Sequence, residues 1–99
     1  MIIISDNSAL SALAETHLLS LLPTLFGEVS ITESVQQECQ NGGAPEALRL
    51  WIANPPAWIH IAADPAILLP ETANLGAGEA SAISLAWEHR QDCLLILDE

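Results

Sequence analysis

Four short apolar runs punctuate this chain: Ile2–Ser5, Glu28–Ile31, Trp58–Ala62 and the terminal Cys93-Leu94-Leu95-Ile96-Leu97. The first is continuous rather than alternating, as in a strand buried on both faces. Between the runs the apolar residues recur at helical spacing. Leu10, Leu13, Ala14, Leu18, Leu21 and Leu22 form one such pattern, with Ser8 at its N-cap and Pro23 marking its far end. Thr32 is placed to cap a second helix through Val35, Glu38 and Cys39, which Asn41-Gly42-Gly43 stops. Pro45 suits the first turn of a third, carrying Leu48, Trp51 and Ile52, and Asn54-Pro55-Pro56 ends it. Residues Ala66–Ala73 have no pattern that assigns them. Gly76 and Gly78 then lead into a last helix with Ala80, Ala82, Ile83, Ala86 and Trp87 on its apolar side. Strands alternating with helices predict an α/β fold around a mainly parallel sheet.

With 99 residues there is room for one small domain and one core, spanning 1–99. A hydrophobic fraction of 51% against 15% charged residues argues for a packed globule over disorder. No run reaches the length of a membrane span, and MIIISD lacks the basic start of a secretory signal. Cys39 and Cys93 belong to no metal-type spacing, so both are expected as free thiols in a reducing cytoplasm. The charge balance constrains function further. Thirteen acids face only Arg49 and Arg90, for a net charge of −11. At most two phosphates could be neutralised by side chains, so nucleic-acid chemistry here would need a metal ion, base contacts or a basic partner. The acidity equally suits an inert, well-solvated surface.

Both Ile2–Ser5 and the terminal run are followed by an acid, Asp6 and Asp98. In a parallel sheet the carboxyl ends of the strands form one edge, where open α/β folds bind ligands. If the two strands are neighbours, Asp6 and Asp98 share a crevice. Glu38 and Glu79 are the other acids in suggestive positions, the latter opening the GAGEASAI helix. Each has an ordinary alternative. Asp6 suits a helix cap, Glu79 the positive end of a helix dipole, Glu38 a solvated helix face, and Asp98 a frayed terminus. His17, His60 and His89 stand alone and read as structural, and Gly76-Ala77-Gly78 is too short for a dinucleotide-binding loop.

Taken in order, SDNSALSALA, ITESVQQE, LGAGEASAISLA and LLILDE resemble the motifs of PIN-domain proteins, most closely the branch of VapC-type toxin nucleases. The resemblance spans essentially the whole chain. It implies a PIN-like three-layer α/β sandwich and cleavage of single-stranded RNA with Mg²⁺ or Mn²⁺. Position by position it puts the family's acids at Asp6, Glu38, Glu79 and Asp98, with Ser8 and Glu99 in support. The physics is consistent with that set. Two carboxylates 4 Å apart repel by about 4 kcal/mol at an effective dielectric near 20, so a cluster of them calls for a cation. Oxygen ligands without His or Cys favour Mg²⁺ or Mn²⁺ over Zn²⁺.

PIN domains ordinarily continue past the strand bearing the fourth acid, whereas this sequence stops at Glu99. The final strand is therefore expected to be missing, leaving Leu94–Leu97 as an apolar sheet edge and favouring a homodimer or larger assembly. The leading expectation is a cytoplasmic ribonuclease, the toxin of a toxin–antitoxin pair, partnered by a small antitoxin with exposed basic residues. The alternative is a catalytically impaired PIN remnant that works only by binding protein. A nucleotide-binding module is disfavoured, since no phosphate-cradling loop is present.

Overall fold

The structure, a computed structural model, describes residues 1–97. Its elements run β1 (Ile2–Ser5), α1 (Asn7–Glu15), α2 (Leu21–Phe26), β2 (Val29–Thr32), α3 (Glu33–Gln40), α4 (Glu46–Ala53), β3 (Ile59–Ala62), a 3₁₀ turn at Pro70–Thr72, α5 (Ala77–Glu88) and β4 (Cys93–Ile96). The four strands make one sheet in the order β3-β2-β1-β4, and every pairing is parallel. This is the expected α/β architecture, with helices flanking a parallel sheet.

The continuous apolar runs occupy the middle of that sheet for a physical reason. Ile3 and Ile4 of β1, and Val29 and Ile31 of β2, are buried together with Leu10, Val35, Leu48 and Ile52 from the helices. Each such side chain withdrawn from water contributes about 1.5–3 kcal/mol. The outer strands are less covered. In β4, Leu94 remains 43% exposed, and β4 closes one end of the sheet among the described residues. β1 and β4 run in register from Ile2↔Cys93 to Ser5↔Ile96, so the sequence-based pairing of these two strands holds.

Local boundaries differ from the sequence reading in three places. The cap of α1 is Asp6, not Ser8: Asp6 keeps an extended backbone and its carboxylate accepts the Ala9 N–H at 2.9 Å. Ser8 lies inside the first turn and is exposed. The long helix expected to run to Pro23 is two helices. The chain leaves α1 through His17 at φ 59°, where His17 N–H donates to Ala14 O and Leu18 N–H to Leu13 O, the double bond of a Schellman turn. Pro23 then sits in the first turn of α2, where no amide hydrogen is required. In α5 the expected apolar face is only partly right. Ala80, Ala82 and Ala86 are buried, but Trp87 is 52% exposed beneath the Arg90 guanidinium, while Ser81 and Ser84 lie inside.

Candidate active site

Because every strand is parallel, β1 and β2 deliver their last residues to the same edge of the sheet. β1 ends directly in Asp6, whose residue-level exposure is 4%. Its backbone N–H donates to Ile96 O at 3.2 Å, which ties the start of α1 to the end of β4. β2 ends in Thr32, whose hydroxyl oxygen accepts the Val35 N–H at 3.1 Å and so starts α3, as the sequence suggested. One turn further on, α3 presents Glu38 and Cys39.

Glu38 and Asp6 face a common neighbour. The Cys39 thiol is fully buried and donates to Asn7 Oδ1 at 3.4 Å. Burial pushes its pKa up to about 12, and the negative charges of Glu38 and then Asp6 push in the same direction. The two carboxylates thus act on one thiol, Glu38 from the adjacent position on α3 and Asp6 from the start of α1. Cys39 is thus a hydrogen-bond donor to the start of α1.

Glu38 also reaches across to the last helix. Its Oε2 accepts the Gly78 N–H at 3.1 Å, satisfying one of the unpaired amides at the start of α5. A Cβ at position 78 would overlap the Glu38 carboxylate, so glycine is needed here for close approach. A buried hydroxyl pair braces the same junction: Thr32 and Ser81 lie 2.6 Å apart, and Ser81 donates onward to Gly78 O at 2.7 Å. With the Ser81 hydrogen committed to that carbonyl, Thr32 is the donor of the pair.

Glu79 is in the first turn of α5, next to the glycine that Glu38 holds, and is exposed. Asp98 and Glu99 lie outside the described residues. Among the described residues no three of the His, Cys, Asp and Glu side chains converge in a metal-binding group. The structure therefore brings Asp6 and the neighbour of Glu38 to either side of Asn7, puts Glu79 beside Gly78 in solvent, and places Ser8 exposed in the first turn of α1. Sequence reasoning missed Asn7 and Ser81, and read Thr32 only as a helix cap and Cys39 only as a free thiol. Only Asn7, adjoining Asp6, carried a signal that could have marked it.

The donor chemistry fits a hard divalent cation. Mg²⁺ is commonly held by one or two carboxylates and keeps several waters, and Asp6 and Glu38 are the carboxylates that would hold it here. The sequence profile of the PIN-domain family matches residues 2–99, and the chain belongs to that family. No curated protein and no solved structure matches it. The PIN domain is a nuclease fold, and its members generally work with divalent metal ions. Among the described residues no helix is long and apolar enough to cross a membrane.

Proposed function

We propose that this protein is a metal-dependent endoribonuclease that hydrolyses phosphodiester bonds of single-stranded RNA, acting as the toxin of a VapC-like toxin–antitoxin pair in the cytoplasm. The observation that carries this reading is the Cys39–Asn7 hydrogen bond of 3.4 Å, which draws the neighbour of Glu38 on α3 against the neighbour of Asp6 on α1 in a PIN-domain chain. Asp6 and Glu38 would hold Mg²⁺ or Mn²⁺, with Glu79 and Asp98 as the further acids of the set and Ser8 and Glu99 in support. A bound divalent ion supplies charge neutralisation at the scissile phosphate and a more acidic water. The chain's own residues hold the frame. Asp6 is fixed by its cap to α1, and Glu38 is fixed by Gly78 and aimed by the Thr32–Ser81 brace.

The antitoxin expected for such a surface is a small protein with exposed Arg or Lys, matched to a net charge of −11. A second reading has two observations in its favour. Glu38 already spends one oxygen on α5, and no three-member acidic cluster forms among the described residues. A PIN remnant that only binds protein would look the same at this corner. Metal-dependent turnover separates the two. The ribonuclease cleaves labelled single-stranded RNA with Mn²⁺ or Mg²⁺ and stops in EDTA, whereas a remnant leaves the RNA whole under all three conditions.

A further inference from the structure

A groove of about 260 Å³ opens beside Glu38, lined by Asn7 and Ser11 of α1 and by Asn41, Gly43, Ala44 and Pro45. Each of its two amide side chains has its oxygen engaged within the protein. Asn7 Oδ1 accepts from the Cys39 thiol at 3.4 Å and from the Ser11 hydroxyl at 3.5 Å. With its oxygen accepting from both groups, the amide nitrogen of Asn7 faces away from them. Asn41 Oδ1 is likewise engaged, by the Gly43 N–H at 3.0 Å. Neither Nδ2 meets a protein acceptor among the described residues. The lining of the groove therefore carries two neutral NH₂ donors and the Glu38 carboxylate, and no cationic side chain.

We propose that this groove is the subsite for one nucleobase of the RNA strand, next to the phosphate that would be cut at Asp6 and Glu38. The inference rests on the ribonuclease reading above. A phosphate is the wrong occupant, because it would sit unneutralised against Glu38. A base is neutral, presents carbonyl and ring-nitrogen acceptors to the two donors, and fits a cavity of this size. Base contacts of this kind are also what a chain with two arginines has in place of a basic groove.

The test uses a fluorescein-labelled single-stranded RNA and its titration by anisotropy in Mg²⁺, with Asp6→Asn protein so that the strand is held uncut. Asn7→Ala and Asn41→Ala are each expected to weaken binding about five-fold, the worth of one hydrogen bond. Asn7→Asp keeps the acceptor for Cys39 while removing the donor, and is expected to weaken binding at least as much, with the fold intact by circular dichroism. On RNA with abasic sites the alanine variants should bind like their parent. Equal affinity of parent and alanine variants for intact RNA overturns the subsite, as does an effect of Asn7→Asp alone, which is charge repulsion only. An alanine effect that persists on abasic RNA overturns the base assignment. If the wild type cleaves RNA in any of these cases, the ribonuclease reading stands. If the wild type neither binds nor cleaves RNA, both fall together.

Discussion

Single residues at this corner serve structure and proposed chemistry at once, and substitutions can separate the two. Asp6→Asn keeps an N-cap of equal quality, so stability should hold within about 0.5 kcal/mol while metal-dependent cleavage is lost; Asp6→Ala should cost about 1 kcal/mol as well. Denaturation midpoints measured beside activity check both. Gly78→Ala reverses a common rule. Alanine in a helix normally gains up to about 1 kcal/mol over glycine, but here its Cβ displaces the Glu38 carboxylate and breaks a charge-assisted hydrogen bond worth about 1.5–3 kcal/mol. The expected outcome is net destabilisation together with lost activity, read from urea unfolding and RNA cleavage. Cys39 gives a pH signature. Its folded pKa, near 12, lies above the ordinary value of 9.0, so its contribution is fully present below pH 9 and is lost as pH rises from about 9 to 12. Stability should fall there with a slope approaching 1.4 kcal/mol per pH unit at about its steepest, and Cys39→Ala should remove that component. None of these couplings was visible in sequence. Asp6 and Glu38 could be picked out by order and context, but the link from Glu38 to Gly78 joins residues far apart in the chain, and only folding puts them in contact.

At the scale of elements, the four apolar runs were legible, the two central ones because strands buried on both faces need them, and each was found within a residue or two of its expected place. Helix ends were legible only where the cap is local. Thr32 was read correctly because its hydroxyl serves an amide three residues away. The break after α1 was not, because a histidine occupies the left-handed position that glycine usually signals. His17→Gly should therefore stabilise the protein by about 0.5–1 kcal/mol through relief of that backbone strain, a gain readable as a raised thermal midpoint. The partial failure on α5 has a similar origin. Ser81 and Ser84 are buried because each has a hydrogen-bond partner, Thr32 for one and the Leu69 N–H for the other. Hydrophobic spacing cannot foresee polar residues that are satisfied by distant elements.

For the whole molecule, the net charge and the free side of β4 set the terms of association. With two arginines, RNA binding should release few counterions, so the logarithm of affinity should fall against that of salt concentration with a slope no steeper than about −1.4 for a single strand. Among the described residues no strand pairs with the side of β4 away from β1, and Leu94 is 43% exposed, so we propose this as the surface for a homodimer. Sedimentation should then report twice the 10.6 kDa of one chain, and Leu94→Lys should return it to a single chain. The central claim is chemical, and it is tested most directly by incubating labelled single-stranded RNA with Mn²⁺, Mg²⁺ or EDTA, comparing wild type with Asp6→Asn at equal helical content. Cleavage that requires metal and vanishes in the folded mutant is the predicted result. Wild type as inert as the mutant with either metal, both remaining folded, would contradict it and leave a PIN domain that works by binding alone.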